Sequence, residues 1–462
     1  MKYILAALVV LLPFILSAQT IILDELIAEG LNSNLALRQQ SLSLKQSVAS
    51  LDKARGLFFP SLTIHARYSR AGGGRQIEFP VGTLLNPVYQ SLNELYINAG
   101  QPPRPFPTLE NEVIPFLRKE EHDTKIQLVQ PIFQPAIFFN YRLRGDLVGA
   151  QHAAVAVFKR ELIRDIQYAY FNYLSSVKLA ELYRKTNTVL DENLRVSQSL
   201  FDAQKVTKDV VYRAQAELSA LQEEALNAEN QKIVAQSYLN FLVNRPLRTK
   251  IRTEDLMSTT DLSLPEFDFL LNKALNNREE LTQLRLGKSA AGQQKSIAHS
   301  TYLPSISAVV DYGFQGEEYR FNGDEDFWMA SFVLKWNLFN GFQDQAQLEI
   351  AQLEMNKIET QRRELEEQIK LQVRQAYDNC LSTLQRIEVA QNRHKSAKSS
   401  FNIIQKKYEQ GLAAQIEFLD ARQNFTNAEI GAILAKYNFF IDHAQLERVS
   451  ALYEFSEKKE DK

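Results

Sequence analysis

The sequence predicts a mainly helical chain that carries four long strands and repeats one plan twice. Three observations predict it. Phe342 to Ala451 contains no proline, and its apolar or small residues recur at Ile369, Val373, Ala376, Cys380, Leu384 and Ile387. That four-and-three spacing belongs to a coiled-coil seam, not to a strand. Four shorter segments alternate polar and apolar residues with a period of two, as strands with one wet face do. Finally, residues of the first half return in the second at nearly constant offsets.

In order, residues 1–18 form a secretory signal: Met1-Lys2, an apolar run from Tyr3 to Leu16, then Ser17-Ala18 with cleavage after Ala18. The run is shorter than the roughly 20 residues a spanning helix needs. The first repeat covers residues 19–246. It opens with a helix from Leu23 to Phe59, capped by Asp24 and striped by Leu26, Leu31, Leu35, Leu42 and Val48, and stopped by Pro60. A strand at 60–70 follows, with Leu62, Ile64 and Ala66 alternating against Thr63, His65 and Arg67. Residues 71–122 hold Gly72-Gly73-Gly74 and seven of the fourteen prolines; they predict a long irregular loop with a short helix near Val88 to Tyr96. A second strand spans 123–133. A long helical hairpin then fills 136–243, with a proline-free arm to Gln204, a turn at Lys205 to Lys208 and a return from Asp209.

Residues 247–267 are a linker, and the second repeat covers 268–451. Its helix ends at Pro304, its strands lie at 304–315 and 327–339, and only residues 316–326 separate them. Ile306, Ala308, Val310, Tyr312 and Phe314 share one face of the third strand; Ala330, Phe332, Leu334 and Trp336 share one face of the fourth. The hairpin at 342–451 breaks only at Tyr408-Glu409-Gln410-Gly411. Its first arm is about 100 Å long at 1.5 Å per residue. A charged tail, 452–462, ends the chain. Pro60 matches Pro304 at an offset of 244, Phe133 matches Phe339 at 206, and Ala214 matches Ala421 at 207. The drop reflects the extra length of the first loop, so the chain is an internal duplication.

Composition narrows the function. Net charge is −2 and acids and bases are interspersed, against a nucleic-acid partner, which needs a concentrated basic face. The single cysteine, Cys380, excludes a disulfide framework and sits on the apolar seam. Six histidines are scattered without His-Glu-x-x-His spacing, so no metal site and no cofactor are expected. Ser175-Ser176-Val177-Lys178 fits Ser-x-x-Lys but lies mid-helix without a Lys-Thr-Gly companion. No catalytic residue and no enzyme are predicted.

Four strands of about ten residues suit a tilted bilayer crossing, and equally a four-stranded sheet in a soluble domain; the first reading carries a further requirement. An open four-stranded sheet cannot sit in lipid, because its edges expose unpaired backbone groups, and four strands are too few to close. A hairpin of this length likewise has no globular core for its stripe. Both features demand several copies of the chain around an axis.

The chain resembles the TolC-like outer-membrane efflux proteins. The resemblance is carried by Tyr302-Leu303-Pro304-Ser305-Ile306, by Leu334-Lys335-Trp336-Asn337-Leu338-Phe339-Asn340-Gly341, and by Lys407-Tyr408-Glu409-Gln410-Gly411 followed by Phe418-Leu419-Asp420-Ala421. It implies a fold that is mainly α with a membrane β-barrel. In a homotrimer, twelve strands form one barrel in outer-membrane lipid, and the coiled-coil hairpins form an α-barrel across the periplasm of a Gram-negative bacterium. It implies export of solutes as the exit duct of a tripartite pump or type I secretion system, with a periplasmic adaptor and, through it, an inner-membrane transporter as partners.

The resemblance also supplies candidate residues. Tyr408, Gly411, Glu417 and Asp420 match the periplasmic gate, where carboxylates of three chains would crowd one axis and attract cations. Glu417 and Asp420 read equally as solvated acids favoured at a helix start. Where the family pattern carries an arginine tie, this chain has Ala413. Gly411 suits a turn that needs positive φ; Gln204 stands at the corresponding place in the first hairpin, which is therefore expected to turn differently. Both tips, Lys205, Thr207, Lys208 and Asp209 in one and Gly411, Leu412 and Ala413 in the other, are the expected adaptor-docking surface. Two other functions compete. A soluble periplasmic coiled-coil adaptor would share the signal and hairpins but adds a domain of many short strands; a secreted hydrolase lacks any constellation.

Overall fold

The structure, a computed structural model, describes residues 21–256 and 262–453. The expected signal at 1–18, part of the linker and most of the charged tail lie outside the described residues. Two compact units are formed. One comprises the described parts of Met1–Leu51, Leu143–Gly292 and Ala351–Lys462; the other comprises Asp52–Arg142 and Gln293–Ile350.

The expected opening helix is two helices, α1 (Ile21–Ser33) and α2 (Leu35–Gly56). Asn34 makes the break. Its Oδ1 accepts from the N–H of Leu37 at 2.9 Å, capping α2, while its Nδ2 donates to the Leu242 carbonyl at 2.8 Å. Asparagine favours this role because its short side chain satisfies a helix's orphan N–H groups. The helix expected before Pro304 is broken likewise, into α6 (Phe267–Asn277) and α7 (Glu279–Ser300), at the extended residue Arg278. Arg278 lies 244 positions after Asn34, the offset that joins Pro60 to Pro304.

Strands β1 (Ser61–Arg70), β4 (Glu120–Phe133), β5 (Ser305–Gly316) and β6 (Asp326–Lys335) form one antiparallel sheet in the order β1-β4-β5-β6. The fourth strand is shorter than expected, ending before Trp336. Register puts Ile64 beside Ile126, Ile126 beside Tyr312 and Tyr312 beside Trp328 on one face. Thr63, Gln127, Asp311 and Met329 align on the other.

The long first loop is not irregular. It folds as β2 (Gln76–Phe79), α3 (Val81–Asn98) and β3 (Glu112–Pro115), with β2 and β3 paired antiparallel. Two asparagines on α3 hold the proline-rich return. Asn86 donates to the Leu109 carbonyl and accepts from its N–H, both at 2.9 Å, and Asn93 does the same for Arg104 at 3.0 and 2.9 Å. Each amide imitates a strand partner, so a chain poor in N–H donors still has its backbone satisfied. Periodicity cannot reveal such pairings.

The long arms are α4 (Pro135–Asp202) and α8 (Gln343–Glu409); the return arms are α5 (Lys208–Leu242) and α9 (Gln415–Val449). The predicted seam is buried as expected: Ile369, Val373, Ala376 and Cys380 pack with Leu270, Ala274, Leu446 and Val449. Cys380 is fully buried, and that burial, reinforced by the charges of Asp442 and Glu447, pushes its thiol up to about 12. A thiol so placed is inert packing.

Candidate functional site

Both hairpins close by one device. At the end of α8, Gly411 takes φ +76°, its N–H reaches the Tyr408 carbonyl at 2.9 Å, and the Leu412 N–H reaches the Lys407 carbonyl at 2.8 Å. At the end of α4, Gln204 takes φ +59°, its N–H reaches Phe201 at 2.8 Å, and the Lys205 N–H reaches Leu200 at 2.9 Å. The expectation that Gln204 would force a different turn is thus corrected. The long bond back to the helix's last turn outweighs the side chain's dislike of the left-handed region.

The helix starts beyond the turns also match. Thr207 and Ala414 are extended N-cap residues. The Thr207 hydroxyl does not cap; it donates to the Asp209 carboxylate. Ala414 has no oxygen to offer, but its N–H donates to Glu417 Oε1 at 3.4 Å, half of a reciprocal cap. Lys208 lies over the ring of Tyr212 at 5.3 Å.

Between the two hairpins is a small apolar knot drawn from all four arms: Leu190, Leu218, Leu221, Phe401, Phe418 and Leu419. Tyr408 stacks on Phe418 at 4.9 Å and accepts a long hydrogen bond, 3.5 Å, from Asn193 Nδ2. Gln415 is buried and donates to Ser197 Oγ at 3.1 Å and to the Val210 carbonyl at 3.0 Å, tying the start of α9 to both arms of the first hairpin. Arg422 is buried beside the stacked rings of Phe401 and Phe425, 5.2 and 5.4 Å from their centres, and donates to Thr186 Oγ1 at 2.6 Å. Its Nε has no acceptor among the described residues, and burial pushes the guanidinium below its ordinary basicity.

The structure therefore brings Tyr408 into the packed tip and leaves Gly411, Leu412, Lys205, Thr207, Lys208 and Asp209 exposed, with Ala413 half-buried. Glu417 and Asp420 are exposed and three residues apart, on the opposite side of α9 from buried Gln415, Phe418, Leu419 and Arg422. Both lie on the exposed side of α9, with Glu417 reaching back to the Ala414 N–H. Gln415, Arg422, Thr186 and Asn193 were not anticipated. The available signal was polar residues at stripe positions of α9, since 415, 418, 419 and 422 follow helical spacing.

The sheet is the second unusual feature. Leu62, Ile64, Tyr68, Ile126, Tyr312, Trp328, Phe332 and Leu334 share one face and are exposed, Phe332 at 82% and Trp328 at 75%. The other face carries Thr63, His65, Lys125, Gln127 and Asp311, with Asp311 held by Lys125 at 3.2 Å and Gln127 at 2.9 Å. Among the described residues no helix is long and apolar enough to cross a membrane, and no metal-ligand group occurs.

The profile of the family described as "Outer membrane efflux protein" matches residues 270–451. "Outer membrane protein TolC" of Escherichia coli (strain K12) is 21% identical over 440 residues, covering 92% of this chain and 81% of that protein. "Alkaline protease secretion protein AprF" of Pseudomonas aeruginosa is 22% identical over 340 residues, covering 71% of this chain and 70% of that protein. Among solved structures, the Campylobacter jejuni CmeC outer membrane channel superposes with a TM-score of 0.75 at 17% identity, covering 93% of this chain and 85% of that one. Residues 270–451 thus carry the profile of the outer membrane efflux protein family, and over most of its length the chain is similar to TolC-like outer-membrane proteins.

Proposed function

We propose that the protein is a trimeric outer-membrane channel-tunnel through which solutes leave the periplasm, serving a tripartite efflux pump or a type I secretion system. The observation that carries this is the sheet: one face apolar and exposed, the other polar, with the edges of β1 and β6 unpaired among the described residues. Lipid on one side and water on the other explain the faces. Pairing β1 of one chain with β6 of the next removes every edge. Three chains then give twelve strands. The protein is a transport protein, not an enzyme.

In this reading the hairpin tips are the gate and the docking surface. Glu417 and Asp420 face the axis, where three copies of each repel one another and select cations. Tyr408 and Gly411 shape the turn that presents them. With Ala413 at the tip, the resting state is held within each chain by Gln415, by Arg422 on Thr186 and by Asn193 on Tyr408. Lys205, Thr207, Lys208, Asp209, Gly411, Leu412 and Ala413 meet a periplasmic adaptor, and through it an inner-membrane transporter. The test is fractionation followed by planar-bilayer recording. Outer-membrane recovery and discrete conductance are expected; a protein released with the periplasm and unable to conduct would favour the soluble adaptor instead.

A further inference from the structure

Where β1 begins and β4 ends, away from the long loop, the surface holds an open cavity of about 300 Å³ whose walls include Phe58, Ile132, Phe133, Ile137, Phe138 and Phe139. No charged side chain lines it. The polar wall residue Gln134 has its amide committed to Ser307 Oγ at 3.2 Å. The apolar walls stay open to solvent in the chain, Ile132 at 58% and Phe133 at 46% exposed. Trp336, Leu338 and Phe339, just beyond β6, are exposed at the same end of the sheet, because Lys335 pairs with Ser305 there. A ring of exposed aromatics at the end of lipid-facing strands is what a membrane–water boundary selects.

Arg142 supplies the second component. Its guanidinium lies 4.3 Å from the centre of the Phe138 ring, part of the cavity wall. It is exposed and has no carboxylate partner among the described residues. An apolar concavity beside an unpaired, ring-stacked guanidinium complements one alkyl chain and one phosphate. We propose that this is a glycerophospholipid site, with an acyl chain in the cavity and the lipid phosphate on Arg142. The inference rests on the outer-membrane reading above.

The test is native mass spectrometry of the detergent-solubilised particle titrated with palmitoyl-oleoyl-phosphatidylglycerol. Adducts should saturate at one per chain. Arg142→Gln should weaken uptake about tenfold, the scale of a lost charge-assisted phosphate contact, with Arg142→Lys in between. Ile137→Trp, which fills the cavity, should abolish the adduct with Arg142 intact. The proposal is overturned if Arg142→Gln and wild type take up equal lipid, or if the matching diacylglycerol binds as well as the phospholipid. It is also overturned if no adduct forms and Ile137→Trp instead dissociates the particle, since the cavity would then hold a second copy. The protein mass in the same spectrum counts chains separately, so failure of the trimer and failure of the lipid site are distinguishable.

Discussion

Gln204 and Gly411, 207 positions apart in the sequence, occupy the same left-handed turn position at the ends of α4 and α8, with φ of +59° and +76°. A side chain pays roughly 1–2 kcal/mol for that conformation and glycine does not. Gln204→Gly should therefore raise stability by up to about 1 kcal/mol once glycine's unfolded-state entropy is subtracted. Gly411→Ala should lower it by a similar amount. Hydrogen exchange of the 200–210 and 407–417 amides reads both; a destabilised Gln204→Gly would contradict the shared geometry.

Replacing Glu417 and Asp420 by alanine should make the closed tunnel leakier, raising single-channel conductance and weakening cation selectivity. The two changes should differ in stability. Glu417 reaches back to the Ala414 N–H, so Glu417→Ala should cost about 0.5–1 kcal/mol as a lost cap. Asp420→Ala, at an exposed position, should stay within about 0.5 kcal/mol. Unchanged conductance and antibiotic entry in the double variant would remove these residues from the gate.

Arg422 on Thr186 gives an asymmetric prediction. Thr186→Val leaves a buried guanidinium with one acceptor fewer and should cost about 1–3 kcal/mol. Arg422→Met removes the charge and keeps the volume beside the Phe401–Phe425 stack, and should cost less. The local opening energy from hydrogen exchange at 183–194 and 418–428 decides; equal or reversed costs would show that Arg422 acts through its charge.

The clasp around Arg278 predicts acid sensitivity. Burial alone would raise the Glu280 carboxyl. The Arg278 hydrogen bonds, at 2.6 and 3.3 Å, and the Arg448 charge prevail and hold it below the ordinary range. A depressed carboxyl contributes stability that is present above its unfolded value, about 4.3, and lost as pH falls through the folded value. Protection of the α6–α7 junction amides, relative to their intrinsic exchange rate at each pH, should thus fall as pH drops below about 4.3, and Glu280→Gln should flatten the response. An identical profile in the variant would assign the acid sensitivity elsewhere.

The long helices, the four strands and their facing were legible because each rests on a period repeated many times along the chain. The breaks at Asn34 and Arg278 were not, because one residue reversing a helix leaves the apolar stripe on both sides intact. The β2-α3-β3 insertion was hidden for another reason: it is held by Asn86 and Asn93 imitating backbone across a gap in sequence, and its prolines read as an irregular loop. At the tips, the turn at Tyr408 to Gly411 and the start of the helix carrying Glu417 and Asp420 could be placed from their local motif. The ties through Gln415, Asn193 and Arg422 join different hairpins, and such pairs become visible only when the arms are laid side by side.

The central claim is that the four-stranded sheet is one third of a closed barrel. The mass of the detergent-solubilised particle, by light scattering corrected for bound detergent, tests it most directly. Three chains per particle is the predicted result, making twelve strands and no free edge. A monodisperse monomer that stays in solution without detergent would contradict it, returning the exposed apolar face of β1, β4, β5 and β6 to a soluble protein.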